Sequence, residues 1–434
     1  MDIDTRQMYP STWNGTPSTT QQAVARQTAT TALRNPSSGS GNGSSVGGHN
    51  PPENNQEIIY SRRGYDAREL LHSFSINLLD TGPLASGKLL HYTADLVCSG
   101  GIELLRKLCW DFAFDHIGVA QPRIFVFLRK RLIDIFTKWA KQNNDTFLYS
   151  ADNQRAIAEM VLVLQACPRR TKPKIPVVSG DTHENDVWLR SSLKATEKES
   201  VRKVFKHGVD QHQMYHAANE IIHATQEGGT ERALWWLRWL IEEDSAVRQR
   251  NKVGLTTLER GVMTNGVKNS KKRGFMGTYI ASILAECYKE LAGKGLIRLH
   301  EEFQCLLDLS RTGSEVGLTP KRQTDCLALM IQILAEIPRW KNPSSPPLLT
   351  LSVNGPQSGF QSSGTDDIVL ARAVSQAEIF WREILSLPPL DKELPIAIKA
   401  KATAVALRKK NAKKGDISEK MSQMDKFYLD FYNF

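Results

Sequence analysis

Three groups of residues have types and spacings that could do chemistry. His212, His216 and Glu220 recur at i, i+4 and i+8, so one helix face can carry all three. Two histidines four apart can ligate zinc, with a carboxylate completing the shell. Gln213 follows His212, however, so the glutamate base of a zinc-protease motif is missing. The expectation is a solvated polar helix face. The segment Gly82–Leu89, GPLASGKL, approaches a phosphate loop. That loop needs wrapping backbone amides, a lysine on the phosphates and a hydroxyl on magnesium. Leu89 replaces the hydroxyl residue and Pro83 removes an amide, so a turn between helices is expected. No G-x-S-x-G is present, and no cysteine sits in a recognisable nucleophile setting. The sequence therefore predicts no catalytic residue, no cofactor and no metal. A metal-lined pocket at His212, His216 and Glu220 would revive an enzymatic reading.

The third group is cationic. Arg169 and Arg170 open a basic, proline-punctuated segment that reads as extended; Lys271, Lys272 and Arg273 lie in a basic loop; Arg408, Lys409 and Lys413 lie in a basic C-terminal stretch. Such segments can neutralise phosphates with steep salt dependence, so all eight are candidate nucleic-acid contacts. They are equally common as solvated faces or subunit contacts.

The elements that must position these residues are helical. Ala217 to Asp244 reads as two helices with a tight turn at Gly228 and Gly229, where glycine adopts a left-handed conformation cheaply. Thr230 is the expected N-cap of the second helix. Trp235, Trp236 and Trp239 make that helix the expected centre of the core, burying roughly 150–250 Å² each. Trp235 and Trp236 cannot both face the same way. Helical periodicity recurs at Ala67–Leu79, on both sides of Gly100 and Gly101, and after Pro122. It continues after a cap at Asp152 or Asn153, over Trp188 to Phe205, and over Phe275 to Leu291. Leu296 to Leu309, Asp325 to Ile337, and Ile368 to Leu385 complete the set. Strand-like alternation is scarce, so the folded part is expected to be all-α: a helical core with a disordered or extended N-terminal arm and a C-terminal extension.

Four segments follow from composition. Residues 1–57 are rich in Ser, Thr, Asn, Gln, Gly and Pro and form a low-complexity arm. Residues 58–341 form the helical core, 342–366 a Ser/Pro/Gly-rich linker, and 367–434 a basic, aromatic extension. Tyr9 and Trp13 in the arm, and Phe427, Tyr428, Phe431, Tyr432 and Phe434 in the extension, are candidate interface anchors. The 434 residues carry a formal net charge of +10, which permits contact with an acidic surface. The six cysteines form no C-x-x-C pair and read as free, buried thiols. No apolar run approaches the roughly 18 residues of a membrane span, and the first residues lack the apolar core of a secretory signal.

Parts of the chain resemble a family of helical proteins of nucleocytoplasmic large DNA viruses (phycodnavirus- or mimivirus-like). Ala94, Asp95, Leu96, Val97, Cys98, Ser99 and Gly100 resemble its first motif, with Asp95 where the family carries glutamate. His116, Ile117, Pro122 and Arg129 resemble a second motif. Trp236, Trp239, Leu240 and Glu242 resemble a third, in which Trp235 and Leu240 depart from tyrosine and isoleucine. The resemblance covers roughly residues 65 to 310 and supplies no catalytic residues. It implies a viral setting and an α-helical fold. The resulting expectation is a non-enzymatic minor capsid protein, made in the host cytoplasm and held in the virion. Its terminal segments would contact other capsid proteins. The alternative is a viral DNA-associated or replication accessory factor.

Overall fold

The computed structural model describes residues 58–82, 84–142, 144–178, 186–256, 258, 276–340 and 377–399. Ile58–Phe434 is one unit, distinct from Met1–Glu57. Tyr9, Trp13, Lys271, Lys272, Arg273, Arg408, Lys409, Lys413, Phe427, Tyr428, Phe431, Tyr432 and Phe434 lie outside the described residues.

The fold is all-α. Among the described residues the only β contacts are isolated bridges, Tyr60 with Asp66 and Asp210 with Thr256. The first half contains α1 (Ala67–Leu79), α2 (Ala85–Cys98), α3 (Ile102–Phe112), α4 (Arg123–Lys141), α5 (Asn144–Tyr149) and α6 (Ala151–Ala166). Helix α3 runs on into a π-helical turn, Ala113–Ile117. The second half contains α7 (Asp186–Ser192), α8 (Glu199–Val204), α9 (His212–Gln226), α10 (Thr230–Asn251), α11 (Met276–Gly293), α12 (His300–Thr312), α13 (Pro320–Ala335) and α14 (Ile337–Trp340). Two further helices follow, α15 (377–385) and α16 (394–399).

Local chemistry sets the boundaries. Asp66 caps α1 by accepting from the Arg68 amide at 2.7 Å. Ser150, not Asp152 or Asn153, caps α6: its hydroxyl accepts from the Asn153 amide, which puts Asp152 inside the first turn. Thr319 caps α13 and Pro320 takes the first helical position, where its missing N–H costs nothing. That helix starts earlier than its apolar run suggests. Gly228 ends α9 at φ +75°, and Gly229 rather than Thr230 is the cap residue of α10. Trp188 to Phe205 forms two short helices, with 193–198 non-helical between them.

Two helices are almost wholly enclosed. Helix α6 packs against α1 through α5, and α13 against α9 through α12. Ile157, Val161 and Leu164 of α6 are fully buried, as are Cys326, Leu327, Met330 and Ile331 of α13. The α9–α10 hairpin packs onto α13, so the tryptophan helix is a wall of the core and α13 its centre. Beyond the linker, Ala377, Trp381, Ile384, Leu385, Leu394 and Ile398 join the same apolar cluster as α1 to α14.

The segment from Ala94 to Gly100 makes that last attachment. Asp95 is fully buried and accepts from the Ser61 hydroxyl at 2.5 Å and the Arg63 amide at 3.1 Å. Burial pushes its pKa up, and these hydrogen bonds act against that. The Ser99 hydroxyl accepts from the Arg62 amide at 2.8 Å, while the Ser99 carbonyl accepts from the Leu394 amide at 2.9 Å. Arg62 itself reaches the Leu385 and Leu387 carbonyls at 2.9 and 2.5 Å. Gly100 turns the corner at φ +80°, and a Cβ there would lie 2.6 Å from Glu393 Cβ. The segment thus forms a clasp between the start of the folded unit and its last described helices.

Candidate functional site

The residues singled out for metal chemistry are deployed otherwise. His212, His216 and Glu220 all lie on α9. Glu220 is fully buried, which corrects the expectation of a solvated face for this member. One carboxylate oxygen accepts from the Lys194 and Ala195 amides, the latter at 2.6 Å; the other accepts from Arg232 at 2.5 Å. Burial favours the neutral acid, but these donors outweigh it and hold Glu220 below the usual carboxylate range. His212 is exposed, and His216 is partly buried. Burial, then the neighbouring His212 and Arg190, push the His216 pKa down. Among the described residues no group of His, Cys, Asp and Glu is placed to hold a metal ion. The phosphate-loop look-alike is also a helix start: Gly87 and Lys88 lie within α2, and the Gly82 amide donates to Asp80 at 2.8 Å.

Arg169 and Arg170 begin a non-helical strap that runs from Pro168 to Val178. Its path is fixed from within. The Arg170 amide donates to the His116 carbonyl at 2.8 Å, and the Lys172 amide to the Asp115 carbonyl at 3.3 Å. Arg169 bonds the carbonyls of Leu78 and Gln165 at 3.0 and 3.1 Å, closing the ends of α1 and α6. Arg170 makes a bidentate pair with Glu336 at 2.6 and 2.8 Å. Both arginines, candidate nucleic-acid contacts by sequence, are exposed and hydrogen-bonded to acceptors of this same unit.

Beneath the strap lies a part-buried charge cluster, with Asp325 as its buried member. Arg322 meets Asp115 through two bonds of 2.7 Å, Asp111 at 2.8 Å and Asp325 at 2.9 Å. The Lys172 ammonium lies 2.6 Å from Asp325. Burial penalises the charged form of both Arg322 and Asp115. Their mutual pairing prevails, raising the arginine pKa and lowering that of Asp115. The Asp111 to Asp115 spacing that permits this spans the entry into the π-helical turn.

The strap and α10 together frame two clefts. Pro176, Trp188, Ser192, Glu231, Arg232, Trp235 and Trp236 line one of about 390 Å³. The Trp188 ring lies 5.6 Å from that of Trp235 and 6.0 Å from that of Trp236, and the last two rings are perpendicular at 5.0 Å. Trp236 is buried and Trp235 partly exposed, as their spacing requires. The second cleft, about 540 Å³, has Ile175, Leu237 and Ile241 as its apolar part and Lys172, Lys174, Arg238 and Lys321 as cations. Glu242 pairs with Arg238 at 2.6 Å, and Asp325 with Lys172. Clefts of this size accept side-chain anchors or small ligands. Reading the sequence missed this pairing of strap and helix. Its signal was the prolines at 173 and 176 together with a tryptophan helix carrying Arg238.

No protein-family model, curated protein or solved structure matches the chain. Among the described residues no helix is long and apolar enough to cross a membrane.

Proposed function

We propose that this chain is a non-enzymatic structural protein that docks other polypeptides, and that its setting is the capsid of a large DNA virus. The observation that carries the docking role is the outward face of α10, flanked by an aromatic cleft and a cation-rich cleft. Partly exposed tryptophan beside arginine is the composition of protein-binding hot spots. The viral setting rests on the sequence resemblance alone. In that reading the chain is a minor capsid protein of the virion, made in the host cytoplasm and contacting other capsid proteins. Cross-linking mass spectrometry on purified particles tests it. Links from Lys174 or Lys321 to another particle protein are expected. Absence of the chain from particles would remove the capsid reading.

The second reading is nucleic-acid binding, favoured by the four cations of the larger cleft. It requires steeply salt-dependent DNA binding that weakens when Lys174 becomes Glu.

A further inference from the structure

We propose that the smaller cleft on α10 is the receptor for an arginine side chain presented by a partner polypeptide. This rests on reading that face as a docking surface, and it names the chemistry of the anchor.

The charges of the lining select a cation. Glu231 and Arg232 are its ionisable side chains. Arg232 is already paired: it reaches the buried Glu220 carboxylate at 2.5 Å and the Ser192 carbonyl at 3.3 Å. The Glu231 carboxylate is exposed and has no ion pair or hydrogen bond among the described residues. The charge left over is one carboxylate, whose complement is a cation.

The walls select which cation. The ring centroids of Trp188, Trp235 and Trp236 form a triangle with sides of 5.0, 5.6 and 6.0 Å. A single cation above that triangle can lie within about 6 Å of all three rings, the range of cation–π attraction. Trp236 is buried, so the partly exposed Trp188 and Trp235 carry the accessible ring surface. A guanidinium meets both demands at once: it is planar and weakly hydrated, it stacks on indole, and it offers a fork of donors to a carboxylate. An ammonium is a compact, strongly hydrated charge that gains less from an apolar wall. The fold uses the same combination internally. Arg339 lies over Trp340 at 4.5 Å and pairs with Glu336 at 3.4 Å, and Arg106 lies over Phe136 at 4.4 Å and pairs with Glu103. Trp235, Trp236 and Glu231 have no such arginine among the described residues. Val177 and Val187, chain neighbours of Pro176 and Trp188, are strongly exposed and supply apolar area for a partner to cover. Arginine set on tryptophan is the pairing expected of an interface anchor.

The test uses the full chain with fluorotryptophan at its nine tryptophans, read by fluorine NMR. Trp235→Phe identifies the Trp235 resonance by its loss. Acetyl-glycyl-arginyl-glycinamide should shift that resonance saturably at millimolar concentration. The lysine counterpart should bind about threefold more weakly. The citrulline counterpart, similar in shape but uncharged, should give no saturable shift. Glu231→Gln, at an exposed position that does not threaten the fold, should weaken binding of the arginine peptide about fivefold. Equal shifts from the arginine and citrulline peptides overturn the assignment, and so does lysine binding as tightly as arginine. A saturable shift from inorganic phosphate that strengthens in Glu231→Gln makes the cleft an anion site and overturns it as well. A silent Trp235 resonance, alongside links from Lys174 or Lys321 to another particle protein, would sink the arginine anchor while leaving the docking function standing.

Discussion

At the scale of single residues, burial decides the chemistry. Cys98, Cys109, Cys167, Cys287, Cys305 and Cys326 are free and buried, as their apolar sequence settings suggest. Burial pushes the thiols of Cys98, Cys167, Cys287 and Cys305 up to about 12, and those of Cys109 and Cys326 also upward. The thiolate is the reactive form, so none of the six should react with Ellman's reagent in the native protein. All six should react once it is unfolded in guanidinium. A thiol that reacts within minutes in the native state would contradict the packing. His91 behaves in the same way with opposite charge. Burial, reinforced by Arg63, lowers its pKa to about 4, and its ring packs edge-on against Tyr65, Tyr92 and Phe380. The unfolded chain therefore binds a proton that the folded one refuses. The stability involved is fully present above about pH 6.5, the ordinary histidine value, and is lost as pH falls toward 4, by roughly 3 kcal/mol in all. Urea midpoints of the parent and His91→Gln should differ in pH dependence only within that window. Parallel curves would show that His91 titrates normally.

At the scale of elements, periodicity carried most of the information. Leu70, Leu71, Phe74 and Leu78 define the buried side of α1 from sequence alone, and the Gly228 turn fixes the α9–α10 hairpin. Start signals were less legible where a polar turn precedes the apolar run, as at Thr319 and Pro320. The π-helical turn at Ala113–Ile117 left no signal; Asp115 within it pairs with Arg322, which lies on a helix distant in the chain. The strap was legible as extended but not as a cleft wall, since its partners lie in the π-helical turn, on α10 and on α13 and come together only in three dimensions. The clasp offers a paired test of one such long-range contact. Gly100→Ala must adopt an unfavourable φ and also displace the Glu393 side chain. It should cost about 2 kcal/mol or more in urea unfolding and expose 377–399 to protease. Gly208 shares the positive φ, at +78°, but has nothing within 4 Å. Gly208→Ala should cost only about 1 kcal/mol and leave that segment resistant. Equal losses would mean that the Glu393 contact carries no weight.

At the scale of the whole molecule, composition separated a low-complexity segment from a helical unit but placed a boundary at 342–366. Residues 377–399 lie beyond that boundary and bury Trp381 and Ile384 in the common cluster. Short amphipathic helices give no hint in sequence of which surface they will cover. A chain shortened to residues 1–341 should consequently bind the dye ANS and melt several degrees lower than the full chain. Unchanged melting would make α15 and α16 an independent appendage. The same clasp has a consequence for how the protein is made. Arg62 and the Leu387 carbonyl it holds are 325 positions apart in the chain. A ribosome adding roughly 5–20 residues per second leaves the Ser99–Gly100 corner without its partner for on the order of 15–60 s. Throughout that interval the nascent first half lacks the cover that Trp381, Ile384 and Leu394 supply in the finished fold, and transiently exposed apolar surface of this kind is prone to association.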